Sequence, residues 1–179
     1  GDKNVAVGRS ALITNTTGTL NTASGYKSLY TATTANYNTS YGACSLAANT
    51  TGGIHTAVGY AALLCNTTGT LNTALGGQAL QSNTTGSHNT ASGYLAMYMN
   101  TTGSYNVAMG KHTSRCNSTG SYNTSVGAFS LCMNLGSQNS AFGYSVLTVN
   151  SSGIRNTATG YAAMNSNTTG ACNTSSGGY

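Results

Sequence analysis

The chain is built from a 17-residue repeat that continues from one end of the sequence to the other. In idealised form the repeat reads N-T-T-G-x-x-N-T-A-x-G-Y-x-A-L-x-x, and its positions are numbered here as phases 1 to 17. An unbroken period of this length is typical of proteins that stack equivalent structural units along one axis. It predicts one repetitive domain over residues 1–179, as a segment of a longer array or stack.

Glycine at two fixed phases sets the expected fold. Phase 11 is glycine in every copy from Gly8 to Gly177, and phase 4 is nearly always glycine within an NTTG corner. Both favour bends, and the stretches between them, phases 6–10 and 12–16, have the length of strands. A helix is disfavoured because each glycine costs it about 1 kcal/mol and apolar residues do not recur every 3.6 positions. We predict an all-β fold, a parallel β-solenoid of about 17 residues per coil with two short strands per coil.

The expected core is a column of small residues facing a column of large ones. Phase 9 is always alanine or serine, and phase 15 is leucine or methionine except at Ser114. Stacked coil on coil, such columns fill a thin interior at close-packed density. The predicted core ladder consists of Leu12, Leu29, Leu46, Leu63, Leu80, Met97, Leu131, Leu147 and Met164.

Asparagine at phase 7, in every copy except His55, predicts a stack of side-chain amides along the axis.

The alternation of side chains along a strand does not decide which face of the strand points inward. Val5, Val7 and Met109, at phases 8 and 10, would also suit a core. Two restricted faces indicate one interior and one packing interface between chains. The short corner at Asn134 is expected to absorb its missing residue without shifting the ladders that follow.

Charge is almost absent from the chain. Only 4% of the residues are charged, Asp2 is the sole acid, and six scattered bases give a net charge of +5. Ordinary soluble domains carry about 25% charged residues, and surface charge is what normally keeps a monomer in solution. We therefore expect this chain to associate with copies of itself, end to end or laterally. The bases form no stripe, which argues against nucleic acid, and no apolar run of membrane-spanning length occurs.

No residues combine into a catalytic or metal centre. The three histidines, His55, His88 and His112, occupy different phases, and no orienting carboxylate accompanies them. The sequence therefore predicts no enzyme, no catalytic residues, no bound metal and no cofactor. The five cysteines lack a C-x-x-C pair, so zinc has no support. Cys116 and Cys132 lie one coil apart. Their phases are consistent either with a disulfide bond between them or with two free cysteines that simply fill space.

Two columns are candidate interaction sites. Tyrosine at phase 12 forms an aromatic stripe, with small residues such as Ala43 and Gly77 in intervening coils, suited to chain packing or to stacking on surface glycans. Its members are Tyr26, Tyr60, Tyr94, Tyr144 and Tyr161. N-x-S/T sequons at the corners are candidate glycosylation sites, although turn formation alone also explains them. They begin at Asn15, Asn49, Asn66, Asn83, Asn100, Asn117, Asn150 and Asn167.

The repeat resembles two known groups of proteins. NVAVG at Asn4 to Gly8 and NVAMG at Asn106 to Gly110 look like the strand motif of trimeric autotransporter adhesin heads. That resemblance implies a left-handed parallel β-roll that trimerises and adheres to host matrix. The unit from Asn66 to Gly76, NTTGTLNTALG, followed by Gln78-Ala79-Leu80, is more similar to the NTAxGYxAL repeats of phage tail-fibre-like and bacterial surface proteins.

The sequence favours a non-enzymatic structural protein, located outside the cell or on a virion or cell surface. It would form an extracellular fibre or fibre shaft, as a microbial surface filament or a phage-type tail fibre. The alternative is a discrete binding module, such as an adhesin head or an ice-binding solenoid. The threonine column at phase 8, for example Thr22, Thr39 and Thr56, suggests the ice-binding variant.

Overall fold

The computed structural model describes residues 1–178, which form a parallel β-solenoid without helices. Each coil contributes one three-residue strand at phases 8–10. The eleven strands are Val5–Val7 (β1), Thr22–Ser24 (β2), Thr39–Tyr41 (β3), Thr56–Val58 (β4), Thr73–Leu75 (β5), Thr90–Ser92 (β6), Val107–Met109 (β7), Thr124–Val126 (β8), Ser140–Phe142 (β9), Thr157–Thr159 (β10) and Thr174–Ser176 (β11). The predicted fold class and coil length are confirmed.

All strands belong to one sheet in which each pairs in parallel with the next along the chain. Equal phases pair throughout, so that Ala23 lies beside Ser40 in β2 and β3. The register survives the short corner, because Ala141 lies between Ser125 and Ala158 in the same column. The corner absorbs the missing residue, as predicted, since a slip by one would have turned every later side chain to the opposite face.

The prediction of a second strand per coil, at phases 12–16, is wrong. This segment is a series of turns in which phases 13 and 15 have left-handed backbone angles, as at Lys27 (φ 53°) and Leu29 (φ 50°). Strand alternation therefore does not apply, and adjacent phases 14 and 15 both point inward. Ser28 and Leu29 are both fully buried for this reason.

The interior contains phases 7, 9, 14 and 15. The predicted core ladder is confirmed from Leu29 to Leu147, with Leu12 9% exposed and Met164 partly buried near the last coil. Phases 8 and 10 lie outside, as the exposure of Val5 and Val7 shows, which settles the open question of the inward face. A polar rung interrupts the apolar core where the hydroxyls of Ser114 and Ser125 are 2.8 Å apart.

The phase-7 asparagines connect each coil to the next. The backbone N–H of Asn38 donates to Oδ1 of Asn21 at 3.0 Å, and Nδ2 of Asn38 donates to the carbonyl of Gly52 at 3.2 Å. Each side chain thus accepts from the backbone N–H of the next coil and donates to the corner of that same coil, as Nδ2 of Asn21 does to the carbonyl of Ala35 at 2.7 Å. The predicted amide ladder is confirmed, and it satisfies polar backbone groups that the short strands leave unpaired.

Candidate functional site

The outward face of the sheet is the dominant surface feature. Phases 6, 8, 10 and 12 project from it, while phases 7 and 9 between them are buried. Among the described residues, 24 large apolar side chains are exposed, and 19 of them lie at these four phases. The five exceptions are Ile13, Met99, Met133, Leu135 and Ile154. The exposed apolar surface is therefore concentrated on one side of the solenoid, which is called here the outward strand face.

Much of the outward strand face is uncharged. Its only bases are Lys3, Arg9, Lys111 and Arg155, and no charged residue occupies these phases in the coils of β2 to β6. Eleven rungs about 4.8 Å apart, each spanning seven residues of about 3.3 Å, give a footprint on the order of 1,000 Å². A stable interface needs about 800 Å² from each partner. The face is thus large enough to hold a partner macromolecule.

The predicted tyrosine stripe lies on this face and is longer than the sequence indicated. Tyr94 packs over Gly77, where an added Cβ would lie 3.5 Å from its ring. The ring column then continues through His112 and Phe129 at phase 13, between Tyr94 and Tyr144. The successive centroid distances from Tyr94 through His112, Phe129 and Tyr144 to Tyr161 are 5.8, 5.3, 5.9 and 5.5 Å. Tyr26 lies under the amino group of Lys27, 5.4 Å from its ring centroid, and Tyr60 is exposed.

A second aromatic column, at phase 6, was not predicted. His88 stacks on Tyr105 at 4.6 Å, and Tyr105 stacks on Tyr122 at 5.1 Å with nearly parallel rings. The signal available in the sequence was the recurrence of large residues at this phase, such as Tyr37 and Leu71. Rings stacked on one another cover their own faces and present edges outward. Sugar stacking requires an open ring face, so the column of His88, Tyr105 and Tyr122 favours packing against another apolar surface.

The structure buries six of the eight corner asparagines that the sequence offers as candidate glycosylation sites. Asn49, Asn66, Asn83, Asn100, Asn117 and Asn150 are fully buried. The Nδ2 atom that would carry the glycan is a hydrogen-bond donor inside the coil, as in Asn66, where it donates to Oδ1 of Asn49 at 2.8 Å. Asn15 and Asn167, near the two ends, are partly exposed. The NTTG corners therefore serve the fold as a second amide ladder.

His55 replaces asparagine in the phase-7 ladder and reproduces its hydrogen bonds. Its Nε2–H donates to the carbonyl of Gly69 at 2.8 Å, and its Nδ1 accepts from the backbone N–H of Asn72 at 3.2 Å. Because a carbonyl can only accept, these partners select the neutral ring with the proton on Nε2. Burial lowers the pKa of His55 from 6.5 to about 4. The ring is therefore a neutral structural element at physiological pH.

The remaining titratable groups do not converge. His88 and His112 lie in different columns of the exterior, whereas His55 is internal. Within residues 1–178, no three histidine, cysteine or acidic side chains are close enough together to hold a metal ion. All five cysteines are free thiols, and the N–H of Cys116 donates to the carbonyl of Cys132 at 2.8 Å. Burial raises the pKa of the Cys132 thiol, and the neighbouring Cys116 adds to this shift.

Comparison of the chain with models of known protein families, with curated proteins and with solved structures found no match. In the part of the chain that the structure describes, no helix has the length and apolarity of a membrane span.

Proposed function

We propose that the protein is a non-enzymatic structural subunit that associates with copies of itself to build an extracellular fibre or fibre shaft. A microbial surface filament and a phage-type tail fibre are the two settings in which such a shaft would operate. The observation that carries the proposal is the outward strand face, where the exposed apolar side chains are concentrated.

The physical argument concerns solubility. The 19 exposed large apolar side chains of this strip are gathered within a footprint of about 1,000 Å², whereas monomeric proteins normally expose contiguous apolar patches of only a few hundred Å². Val58 and Leu75 lie on adjacent rungs of this strip, and Tyr41 on the rung before is 63% exposed. Covering them with the same face of a second copy removes apolar surface from water on both partners. The near absence of charge at the middle rungs leaves little desolvation penalty to oppose that contact.

The strand geometry also suits growth along the axis. Each rung presents the same row of backbone donors and acceptors to the next coil, so a further coil of this repeat extends the sheet in register. That coil can belong to the same chain or to another copy. Lateral pairing through the outward strand face and extension along the axis together describe a fibre.

The test is a pair of opposite charges placed on the outward strand face. Val58→Lys with Leu75→Glu puts a cation and an anion on adjacent rungs, where they attract one another and keep the sheet intact. We expect this variant to shift sedimentation toward the monomer and to abolish filaments in negative-stain images. The matched control, Thr68→Lys with Thr85→Glu, places the same charges on exposed corner positions of adjacent coils.

Equal assembly of the two variants would contradict the proposed interface. A native protein that stays monomeric over a wide concentration range would contradict assembly itself. Thermal unfolding of both variants checks that loss of assembly does not reflect loss of the fold.

A discrete ice-binding module is the second candidate. Thr22, Thr39 and Thr90 are exposed positions of one column at phase 8 of the parallel sheet, which is the observation that favours it. The large side chains at phases 6 and 10 rise on both sides of this column, so the threonines are recessed between apolar columns. Thermal hysteresis of freezing solutions distinguishes the two candidates, since a fibre subunit should produce none.

A further inference from the structure

Three sulfur-containing side chains share one surface groove on the edge of the solenoid away from the outward strand face. Met99, Cys116 and Met133 occupy phase 17 in three successive coils. They line a groove of about 390 Å³ together with Leu135 and two serines, Ser118 and Ser151. Met99 and Met133 account for two of the five exposed large apolar residues outside the outward strand face. The core does not need these side chains, and the proposed interface does not use them.

The short corner lies in the middle of this groove. Asn134 to Gly136 has one residue fewer than an NTTG corner, so less backbone fills the space beside the sulfur column. Asn134 keeps its buried place in the amide ladder, with Nδ2 donating to Gly136 at 2.8 Å. The shortened corner therefore adjoins the groove, through Leu135, and leaves the amide ladder in place.

We propose that Met99, Cys116 and Met133 form a three-sulfur site for a soft monovalent metal ion such as Cu⁺. Thiolate and thioether sulfur are the ligands that soft ions select over harder divalent ions. Successive coils are about 4.8 Å apart, and the three rotatable bonds of methionine allow both thioethers to turn toward an ion held by the central cysteine. On binding, the thiol proton of Cys116 passes to solvent, and the two thioethers bind as neutral donors.

The chain contains an internal control for this site. Cys65 also occupies phase 17 and is also half-buried, but its neighbours in the adjacent coils are Ala48 and Ser82. The same thiol at the same phase thus lacks thioether neighbours. Any affinity that comes from a surface cysteine alone should be equal at Cys65 and Cys116.

The experiment is a competition titration with Ag⁺, which has the softness of Cu⁺ without its redox chemistry. One variant keeps Cys116 as its only cysteine, with the other four replaced by serine, and a second variant keeps only Cys65. We expect the Cys116 variant to bind one Ag⁺ at least about tenfold more tightly. Replacing both methionines by leucine, through Met99→Leu and Met133→Leu, should bring its affinity down to that of the Cys65 variant.

Equal affinities of the two single-cysteine variants, or no effect of the leucine substitutions, would overturn the site. Should the serine background unfold, Cys116→Ser and the paired leucine substitutions are compared in a chain that carries only Cys132→Ser, which removes the neighbouring thiol, and each should remove the tightest equivalent of Ag⁺. X-ray absorption of the Cu⁺ complex under reducing conditions is the independent readout. Three sulfur scatterers support the proposal, and nitrogen or oxygen ligands, or only two sulfurs, contradict it.

Discussion

Acid should destabilise the coil that contains His55, and His55→Asn should remove that sensitivity. The neutral ring accepts a hydrogen bond at Nδ1 from the N–H of Asn72. Protonation of Nδ1 would place its N–H against the backbone N–H of Asn72 in a buried site. A further donor, Nδ2 of Asn66, lies only 3.2 Å from Nε2. No charged group appears among these hydrogen-bond partners to compensate. Asparagine offers the same donor and acceptor without titrating, as Asn38 and Asn72 show in the neighbouring coils.

The magnitude follows from the pKa of His55, which is 6.5 in an unfolded chain and about 4 in the folded coil. Well above pH 6.5 the ring is neutral in both the folded and the unfolded state, so the full stability is present. As the pH falls, the unfolded state binds the proton first, and stability is lost until the pH reaches about 4. The difference between these two pKa values corresponds to about 3 kcal/mol, of which about 2 kcal/mol should be lost by pH 5.

Urea denaturation at pH 7.5 and at pH 5 measures this loss, with the native protein and His55→Asn compared under identical conditions. Burial also lowers the pKa of His112, and the nearby cations Arg115 and Lys111 lower it further. That contribution is common to both proteins and cancels in the difference. A His55→Asn variant with the same pH dependence as the native protein would refute the reasoning.

Three further predictions concern the interior. Leu63→Ala should lower the free energy of unfolding by about 2 to 5 kcal/mol in urea denaturation, because it empties a fully buried position; a loss below about 1 kcal/mol would contradict the packing. Gly76→Ala should cost at least about 2 kcal/mol, since φ is 130° and the new Cβ would lie 2.8 Å from the carbonyl group of Gly93. In the same assay Gly77→Ala should cost under about 1 kcal/mol, since its nearest contact is 3.5 Å, and equal losses would show that close approach is not the constraint. Ser125→Ala should destabilise by about 1 kcal/mol, because Ser114 loses its partner, whereas adding Ser114→Leu should more than restore stability; thermal unfolding that ranks the double variant lowest would exclude this account.

The columns of the solenoid were predictable from the sequence because each depends on one physical requirement repeated in every coil. Glycine at phase 11 is required where the backbone approaches the next coil, as at Gly76. Alanine or serine at phase 9 fits an interior that is filled from the other side by the phase-15 leucines. A requirement that acts once per coil appears as an invariant phase, and the period itself then gives the coil length.

The second side of the coil was not predictable by the same reasoning. Left-handed angles at Lys27 and Leu29 are unfavourable for residues with a Cβ, so nothing in their identity indicates them. Stacking of the coils imposes these angles, and with them the inward direction of two adjacent side chains. The burial of the corner asparagines was not predictable for a related reason. A sequon describes a local sequence, whereas burial of Asn66 depends on the coils above and below it.

Different phases form the coil-to-coil contacts and the outer surface, so such a chain can vary its surface without changing its fold. Three-residue strands alone would pair weakly, but amide ladders at phases 1 and 7 connect each coil to the next and fix the register. None of these contacts involves the side chains at phase 10, which change along the axis from Tyr41 through Val58 and Leu75 to Met109 and Phe142. Substitutions on the outward strand face therefore alter what the solenoid contacts and leave the coil intact. A repeat of this kind can thus set the position of a contact along the solenoid axis, rung by rung, through phases that the interior does not constrain.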